Sequence, residues 1–284
     1  MKKKHQLIYL VFFGLSIFLV LTNYSQIINY NQSSISLWLN KLLPSLFPFL
    51  VLGSILIKLN IASFFKSSSL TLLLLSLFSG FPSGAKYIKD IYNSHLITLK
   101  EANQAFAYTF FANPLFLLGV LSFLPFKLAI IIIISHYLPN VLLFLFLKNS
   151  NHSNKNIKPE SLGNIISISV KESINTMFLI LGTLIFYNIF ISFFKIYSPS
   201  VFITIFFSGI LEFSSGLSNL PILNSPLLCA ILALIFTSFG SLSIHSQIKS
   251  IIIDTPLSYK RFLLYRLFHI ILSVIIFLVF YVFI

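Results

Sequence analysis

The chain contains a series of apolar runs long enough to cross a bilayer, and this feature limits its fold more than any other. A membrane-spanning helix needs about 20 mostly apolar residues, and several runs approach that length. Only 9% of the 284 residues are charged, against about 25% in a typical soluble domain. Lipid-exposed backbone must be hydrogen-bonded within its own segment, which favours helices, and a β-barrel would show short alternating segments instead. The sequence therefore predicts an all-α fold, a polytopic transmembrane helical bundle.

Nine runs are candidate membrane segments, so we expect about seven to nine segments in the membrane. The runs are 7–22, 42–58, 68–82, 104–124, 127–147, 164–194, 200–218, 225–248 and 262–284. No small-residue cleavage site follows the first run, so we interpret it as an uncleaved anchor helix. The predicted units are an anchor helix and loop (1–34), a first membrane half (35–147), a polar cytoplasmic linker (148–163) and a second membrane half (164–284).

The net charge of +13 comes from basic residues that are scattered at the ends of the apolar runs. They are not gathered with aromatic residues on one polar face, so we exclude nucleic acid as a partner. Cytoplasmic loops are rich in Lys and Arg, so we place the amino terminus in the cytoplasm of a cell (inner) membrane protein. If 68–82 and 200–218 are re-entrant, Arg266 lies inside and three basic residues face outward, namely Lys41, Lys127 and Lys195. In the alternative, both segments span the membrane fully, and the lysines that follow 68–82 then lie outside.

A weak internal repeat relates the two halves. FLVLGSILI (49–57) matches FLILGTLIF (178–186), and SGFPSG (79–84) has a counterpart in SFGSLS (238–243). The orientation above gives the two matching helices opposite directions. Inverted repeats with broken helices are typical of transporters, whose substrate site lies at the repeat interface. Chance similarity between aliphatic helices is the alternative.

The SGFPSGAK stretch predicts a broken helix. Pro82 lacks a backbone donor, and Gly80 and Gly84 permit conformations that are closed to other residues. We expect one helix to end near Ser79 and the next to begin near Ser83, with Ser83 as its N-cap. The exposed start of the second helix favours an anionic or polar ligand group.

Lys86 follows this break and would strengthen the attraction for such a ligand. The alternative is a simple cytoplasmic turn in which Lys86 pairs with Asp90, four residues further along the helix.

A second polar break lies in FTSFGSLSIHSQIK (236–249), in an otherwise apolar region. Polar groups in a membrane segment need partners, so these side chains could line a hydrophilic pocket. His245 could bind a ligand or carry a proton. Hydrogen bonding between helices is the alternative. The candidate ligand residues here are Ser238, Gly240, Ser241, Ser243, His245 and Gln247.

Glu212 and Asn113 are two further candidates inside apolar segments. Glu212, in GILEFSSG, could bind a ligand hydroxyl or couple to H⁺ or Na⁺, because intramembrane carboxylates are functional candidates by default. Its alternative role is to partner a serine or a helix end near Gly216. Asn113, before Pro114, offers both donors and an acceptor to a polar ligand, although it could equally mark a mere kink.

No pattern of residues indicates catalysis. The chain has no H-E-x-x-H, G-x-S-x-G or P-loop motif, so we expect it not to be an enzyme and predict no cofactor. Its single cysteine, Cys229, excludes an internal disulfide and a Cys-cluster metal site. We predict no metal site.

Five motifs together resemble the sporulation integral membrane protein YlbJ family, among the nucleoside-recognition or Gate domain proteins of spore-forming Firmicutes. They are LPSLFPFLVLGSIL (43–56), SGFPSGAK (79–86), EANQAFAYTFFANPLFLLG (101–119), GILEFSSG (209–216) and SFGSLSIHSQI (238–248). The resemblance covers about residues 35–270, in the order of the family's motifs. The chain departs from the pattern at SFGSLS, where the family has a glycine pair.

The resemblance implies an inner-membrane protein of spore formation, at the cortex stage, with two Gate-like halves and a relationship to nucleoside transporters. The first hypothesis is a transporter of a small polar solute, such as a nucleoside, bound between Ser79–Lys86 and Thr237–Gln247 with Asn113 and Glu212 nearby. The alternative is a non-transporting component of the spore-forming machinery that acts through membrane protein partners. The loops are short and offer such partners little surface, so this alternative ranks second.

Overall fold

A computed structural model describes residues 2–65, 67–147 and 161–283, and most of them form helices. These described residues contain no β-strand, and the predicted all-α bundle is confirmed. Most of the predicted linker, residues 148–160, lies outside the described residues. Within these ranges, five helices are long and apolar enough to cross a membrane: Tyr24–Lys58, Phe126–Leu147, Leu162–Tyr197, Pro226–Ile252 and Tyr259–Tyr281. Three shorter apolar helices accompany them: Phe13–Thr22, Ser68–Ser79 and Val201–Leu211.

The first part of the chain begins with a helical stretch that continues almost without interruption to Lys58. Its elements are α1 (Lys2–Thr22), α2 (Tyr24–Leu37), a π-helical stretch (Trp38–Leu42) and α3 (Leu43–Lys58). Shorter helices follow: α4 (Ile61–Phe65), α5 (Ser68–Ser79), α6 (Ser83–Asn93), α7 (Leu99–Ala105), α8 (Pro114–Val120) and then the long α9 (Phe126–Leu147).

The second part begins with the longest helix, α10 (Leu162–Tyr197). The remaining elements are α11 (Val201–Leu211), α12 (Phe213–Asn219), a 3₁₀ turn (Leu220–Ile222), α13 (Pro226–Phe239), α14 (Ser241–Ile252) and α15 (Tyr259–Tyr281). Each half therefore has one long helix followed by two interrupted helices and a closing long helix. In this order of helices, the break at SGFPSG in the first half corresponds to the break at Glu212 in the second half. The sequence repeat had instead matched SGFPSG to SFGSLS.

The prediction of a loop after the first helix is wrong, because the structure has the helix α2 there. The polar face of α2 packs against α10, where the Asn188 amide donates to Asn31 Oδ1 at 3.1 Å. The Trp38 indole N–H donates to the Met177 carbonyl at 3.1 Å. The Asn and Ser residues of this stretch would by themselves indicate a loop, but packing against α10 stabilises them in a helix.

The segment 104–124 is not a single spanning helix as predicted. Helix α7 ends at Ala105, the chain leaves helical geometry, and α8 begins only at Pro114. The break at SGFPSG agrees with the prediction, since α5 ends at Ser79 and α6 begins at Ser83. The predicted N-cap is wrong, because Pro82 occupies the cap position and Ser83 is the first helical residue.

Helices α3 and α10 form the main contact between the two halves and run antiparallel. The end of α3 meets the early part of α10, where the Lys58 ammonium lies 3.2 Å from the Glu172 carboxylate. At the far end of α10, Tyr30 of α2, the helix that precedes α3, lies beneath the ammonium group of Lys195. Helices α3 and α10 carry the matching FLxLG motifs, and they run in opposite directions, as the sequence analysis expected.

Candidate functional site

The break between α5 and α6 lies directly against the non-helical segment between α7 and α8, which we call the unwound segment (106–113). The Phe81 N–H donates to the Phe111 carbonyl at 2.6 Å. The Phe81 ring stacks on Phe110 at 4.6 Å between centroids. Gly80 has φ 73° and ψ 179°, a conformation that is essentially restricted to glycine. A Cβ there would lie 2.6 Å from the Asn113 nitrogen, so the close approach of these two backbones requires a glycine.

Asn113 ties three elements together at this point. Its Oδ1 accepts from the Phe116 N–H at 3.0 Å and thereby caps α8. Its Nδ2 donates to the Ser45 and Phe78 carbonyls, at 3.0 Å each. Both amide hydrogens are therefore occupied, and only Oδ1 retains acceptor capacity. Asn113 is a helix cap that faces a cavity described below.

Glu212 is buried at the break between α11 and α12. Its carboxylate accepts from the Ser215 N–H at 2.7 Å, from the Ser214 N–H at 3.2 Å and from the Ser214 hydroxyl at 2.6 Å. These bonds cap α12, so the carboxylate has the structural role weighed in the sequence. Among the described residues no Lys, Arg or His lies within ion-pair distance of it. A buried carboxylate of this kind is rare and costly unless it is used.

Three of the breaks contribute residues to a small cavity of about 10 Å³, enough for about one water molecule. Four of the predicted site residues line it: Pro82, Asn113, Glu212 and Gln247. The Gln247 Nε2 donates to the Thr183 hydroxyl at 2.7 Å, whereas its buried Oε1 has no hydrogen-bond partner among the described residues. The sequence missed the apolar side of the cavity, which includes Leu42, Leu46, Ile180 and Ile244.

Most of the polar residues around the second break bond to neighbouring protein groups. Gly240 has φ 86°, and a Cβ there would collide with the Phe110 ring. The Ser238 hydroxyl donates to Ser273 at 2.9 Å, and the Ser241 and Ser243 hydroxyls are 3.0 Å apart. Hydrogen bonding between and within helices, the alternative weighed in the sequence, describes these serines.

His245 is bonded on both ring nitrogens. Nδ1 lies 2.8 Å from the Tyr259 hydroxyl, and Nε2 lies 3.0 Å from the Phe239 carbonyl. This arrangement holds α14 to α13 and α15. Among the candidates after Gly240, only Gln247 lines the central cavity.

Three candidates of the first break lie in tight packing rather than in the cavity. The Ser79 hydroxyl lies 2.7 Å from the Tyr87 hydroxyl. Ser83 is buried in the first turn of α6. A Cβ at Gly84 would collide with the Thr109 carbonyl. These residues let α6 pack closely on the unwound segment.

Lys86 belongs to an ion cluster that joins the two halves. Its ammonium lies 2.8 Å from Asp90 and 2.9 Å from Glu172. Glu172 also accepts from Lys58 at 3.2 Å and from the Ser54 hydroxyl at 3.1 Å. Burial lowers the pKa of Lys86, but the two carboxylates outweigh it, and the net shift is upward. The Lys86–Asp90 pair, which the sequence analysis gave as the alternative to ligand binding, is thus present and is extended by a carboxylate from α10.

A second ion pair joins α6 to the second half. The Lys89 ammonium lies 2.7 Å from Asp254 and donates to the Ile251 carbonyl at 3.0 Å. The hydrogen bond from Lys89 holds the pKa of Asp254 below its ordinary value. Helix α6 is therefore anchored to the second half by Lys86 and by Lys89.

Side chains of α9 hold the unwound segment in place. The Asn140 amide donates to the Phe110 carbonyl at 2.6 Å, and the Tyr137 hydroxyl donates to the Ala112 carbonyl at 2.7 Å. The Ala112 N–H donates to His136 Nε2 at 3.0 Å. These bonds replace the helical bonds that the segment lacks, as buried backbone groups require. The sequence analysis missed this role of α9, although polar residues in the middle of an apolar helix are a signal for it.

Arg266 completes the support from α15. It is fully buried. Its guanidinium donates to the Phe106 carbonyl at 3.1 Å and to the Ala107 carbonyl at 3.4 Å. It also lies 2.7 Å from His269 Nδ1 and 4.1 Å from the centroid of the Phe110 ring. Arg266 thus caps the carbonyl end of α7.

Long apolar helices and interrupted helices whose breaks meet around one cavity define a multi-pass α-helical membrane protein. The chain is 22% identical, over an alignment of 298 positions, to the sporulation integral membrane protein YlbJ of Bacillus subtilis (strain 168). The alignment covers 84% of this chain and 73% of that protein. The resemblance to the YlbJ family is thereby confirmed, as a distant relationship. No family model matches the chain, and no solved structure matches it.

Proposed function

We propose that this chain is a transporter of a small polar solute, such as a nucleoside, in the membrane of a spore-forming bacterium during cortex formation. The relative from Bacillus subtilis is by name an integral membrane protein of sporulation, which supports the setting. Support for transport comes from the internal arrangement of the chain.

The observation that carries the proposal is that three of the helix breaks, and the helix that follows the fourth, line one cavity between the halves. Pro82 and Asn113 come from the two breaks of the first half, and Glu212 comes from the first break of the second half. Gln247 lies on the helix that follows the last break, at Gly240. Transporters with broken helices bind their substrates at such a crossing point, where backbone groups freed by the breaks contact the solute.

The cavity is too small for a solute in this conformation, so transport requires the halves to separate around it. The ion pairs Lys86–Glu172 and Lys89–Asp254 join α6 to the second half and close one end of the bundle. With the amino terminus in the cytoplasm, this end is the cytoplasmic one. Opening towards the cytoplasm then breaks both ion pairs.

Glu212 is the group suited to couple this movement to an ion. Its carboxylate holds the start of α12 through three hydrogen bonds and has no cationic partner among the described residues. Binding of H⁺ or Na⁺ would neutralise the charge and redistribute these bonds, which shifts α12 at the cavity wall. An ion can drive the movement only if it binds the two conformations of the protein with different affinities.

The test is uptake into proteoliposomes of a labelled panel of nucleosides and cortex-related precursors. We expect saturable uptake of at least one solute by the wild type and a loss of about tenfold or more in Glu212→Gln. Glu101→Gln is the matched control, because Glu101 also caps a helix, through Thr98, but lies at the exposed start of α7. It should transport like the wild type.

Absence of uptake for every solute, by protein shown to be folded, would contradict the proposal and favour an assembly component that acts through protein partners. Equal uptake by wild type and Glu212→Gln would retain transport but remove Glu212 from its mechanism.

A further inference from the structure

An open pocket of about 410 Å³ lies between α2, α10 and α12, outside the central cavity. Binding sites for small molecules usually measure about 300–1,000 Å³, so it has the capacity for a solute of nucleotide or sugar size. Most of its lining residues have polar side chains, among them Ser33, Ser34, Asn40, Asn188, Ser215 and Asn219, and their carbon atoms form part of the wall. Exposed pockets in lipid would be apolar, so this lining indicates contact with water and solutes.

The charged groups of the pocket have one sign. Lys41 and Lys195 line it, and none of the carboxylates that the structure describes does. The Lys195 ammonium lies 4.5 Å from the centroid of the Tyr30 ring, which also lines the pocket and fixes the cation there. Neither lysine takes part in a salt bridge among the described residues. Two unpaired cations beside hydroxyl and amide groups suit a phosphate with attached hydroxyl groups.

The hydrogen bonds of the lining residues stay mostly within their own helices. The Ser34 hydroxyl donates to the Tyr30 carbonyl at 3.1 Å, and the Asn219 amide donates to the Ser215 carbonyl at 2.8 Å. These bonds occupy donors and leave hydroxyl and amide oxygens as acceptors. The pocket therefore offers acceptors for solute hydroxyls as well as cations for an anion.

The pocket adjoins the central cavity on two elements. Lys41 lines the pocket and Leu42, the next residue, lines the cavity. On α12, Ser215 lines the pocket, whereas Glu212 and Phe213 line the cavity less than one turn away. On α10, Lys195 lies 23 residues beyond Glu172, about 34 Å along the helix. The pocket thus opens at the end of the bundle opposite the Lys86–Glu172 ion pair.

We infer that this pocket binds a small solute that carries a phosphate group and several hydroxyl groups, and that it is the entrance to the central cavity. The role as entrance rests on the proposed function, whereas binding does not. A free phosphate monoester and the phosphoglycerol headgroup of a lipid share this chemistry.

Titration calorimetry of the purified full chain in detergent tests binding, with ribose 5-phosphate as the probe and ribose as its uncharged counterpart. We expect ribose 5-phosphate to bind at least about tenfold more tightly than ribose, and its affinity to fall with added salt. The double variant Lys41→Met/Lys195→Met should weaken binding by about tenfold or more, because both cations are lost. Lys127→Met, which removes an exposed lysine outside the pocket, should bind like the wild type.

Nanodiscs distinguish the two sources of phosphate. If phosphatidylglycerol nanodiscs abolish binding of ribose 5-phosphate and phosphatidylcholine nanodiscs do not, the natural occupant is a lipid headgroup of the inferred chemistry. If both lipids leave binding intact, the occupant is a free solute. Failure of ribose 5-phosphate to bind, or equal binding by the double variant, would overturn the inference. Uptake without such binding overturns the inference alone. Binding without uptake overturns the proposed function and with it the role as entrance, but leaves the binding site.

Discussion

Gly80→Ala adds only one methyl group, but it should destabilise the protein strongly, because the backbone conformation and the close packing at this residue both exclude a side chain. Its φ of 73° with ψ of 179° costs a non-glycine residue about 1–3 kcal/mol. The added Cβ would also lie 2.6 Å from the backbone nitrogen of Asn113, and relief of such overpacking costs about 1–3 kcal/mol more. We therefore expect a loss of about 2–6 kcal/mol in the free energy of unfolding.

Thermal unfolding in detergent, followed by intrinsic fluorescence, measures this loss. A decrease of 2 kcal/mol or more corresponds to a fall of at least about 4 °C in the melting temperature. Gly182→Ala is the matched control, because a Cβ at Gly182, inside α10, meets nothing within 4 Å. It should be neutral or stabilising by up to about 1 kcal/mol, as alanine is the better helix former. Equal melting temperatures for the two variants would refute the close approach of the α5–α6 break to the unwound segment.

Two further variants test the supports around the site by the same measurement. Asn140→Leu leaves the Phe110 carbonyl buried without its donor and should cost about 1–3 kcal/mol, whereas Asn175→Leu on the exposed face of α10 should cost less than about 0.5 kcal/mol. Equal costs for the two would contradict the role of α9. Glu172→Gln removes the carboxylate that Lys86 shares with Lys58 and should cost about 1 kcal/mol, less at high salt because the cluster is partly exposed. A cost that does not change with salt would contradict an electrostatic role.

The break at SGFPSG was predictable because its causes are local. Gly80 and Pro82 disfavour a continuous helix whatever surrounds them, and the structure breaks the chain there. The polar residues from Ser238 to Gln247 could be recognised as unusual in an apolar region. Their individual partners could not, because Ser273 and Tyr259 are distant in sequence and meet these residues only through the packing of α15.

The unwound segment shows most clearly what the sequence could not provide. Its residues before Asn113 are apolar and aromatic, a composition that predicts an ordinary spanning helix. It stays non-helical because Asn140 and Arg266, which lie on other helices, bond its carbonyls. The helix Tyr24–Leu37 was missed for a related reason, since contacts with α10 override its weak helix propensity.

The most direct test of the central claim is whether the cavity between the halves opens to water. Leu46, which lines it and is buried, would be replaced by cysteine in a Cys229→Ser background that removes the single native thiol. A membrane-impermeant thiol reagent would be added to either face of proteoliposomes, with Ile222→Cys in the exposed 3₁₀ turn as the positive control. Alternating access predicts that Leu46→Cys is labelled from both faces, more slowly than Ile222→Cys. Complete protection of Leu46→Cys from both faces, with Ile222→Cys fully labelled, would contradict the account.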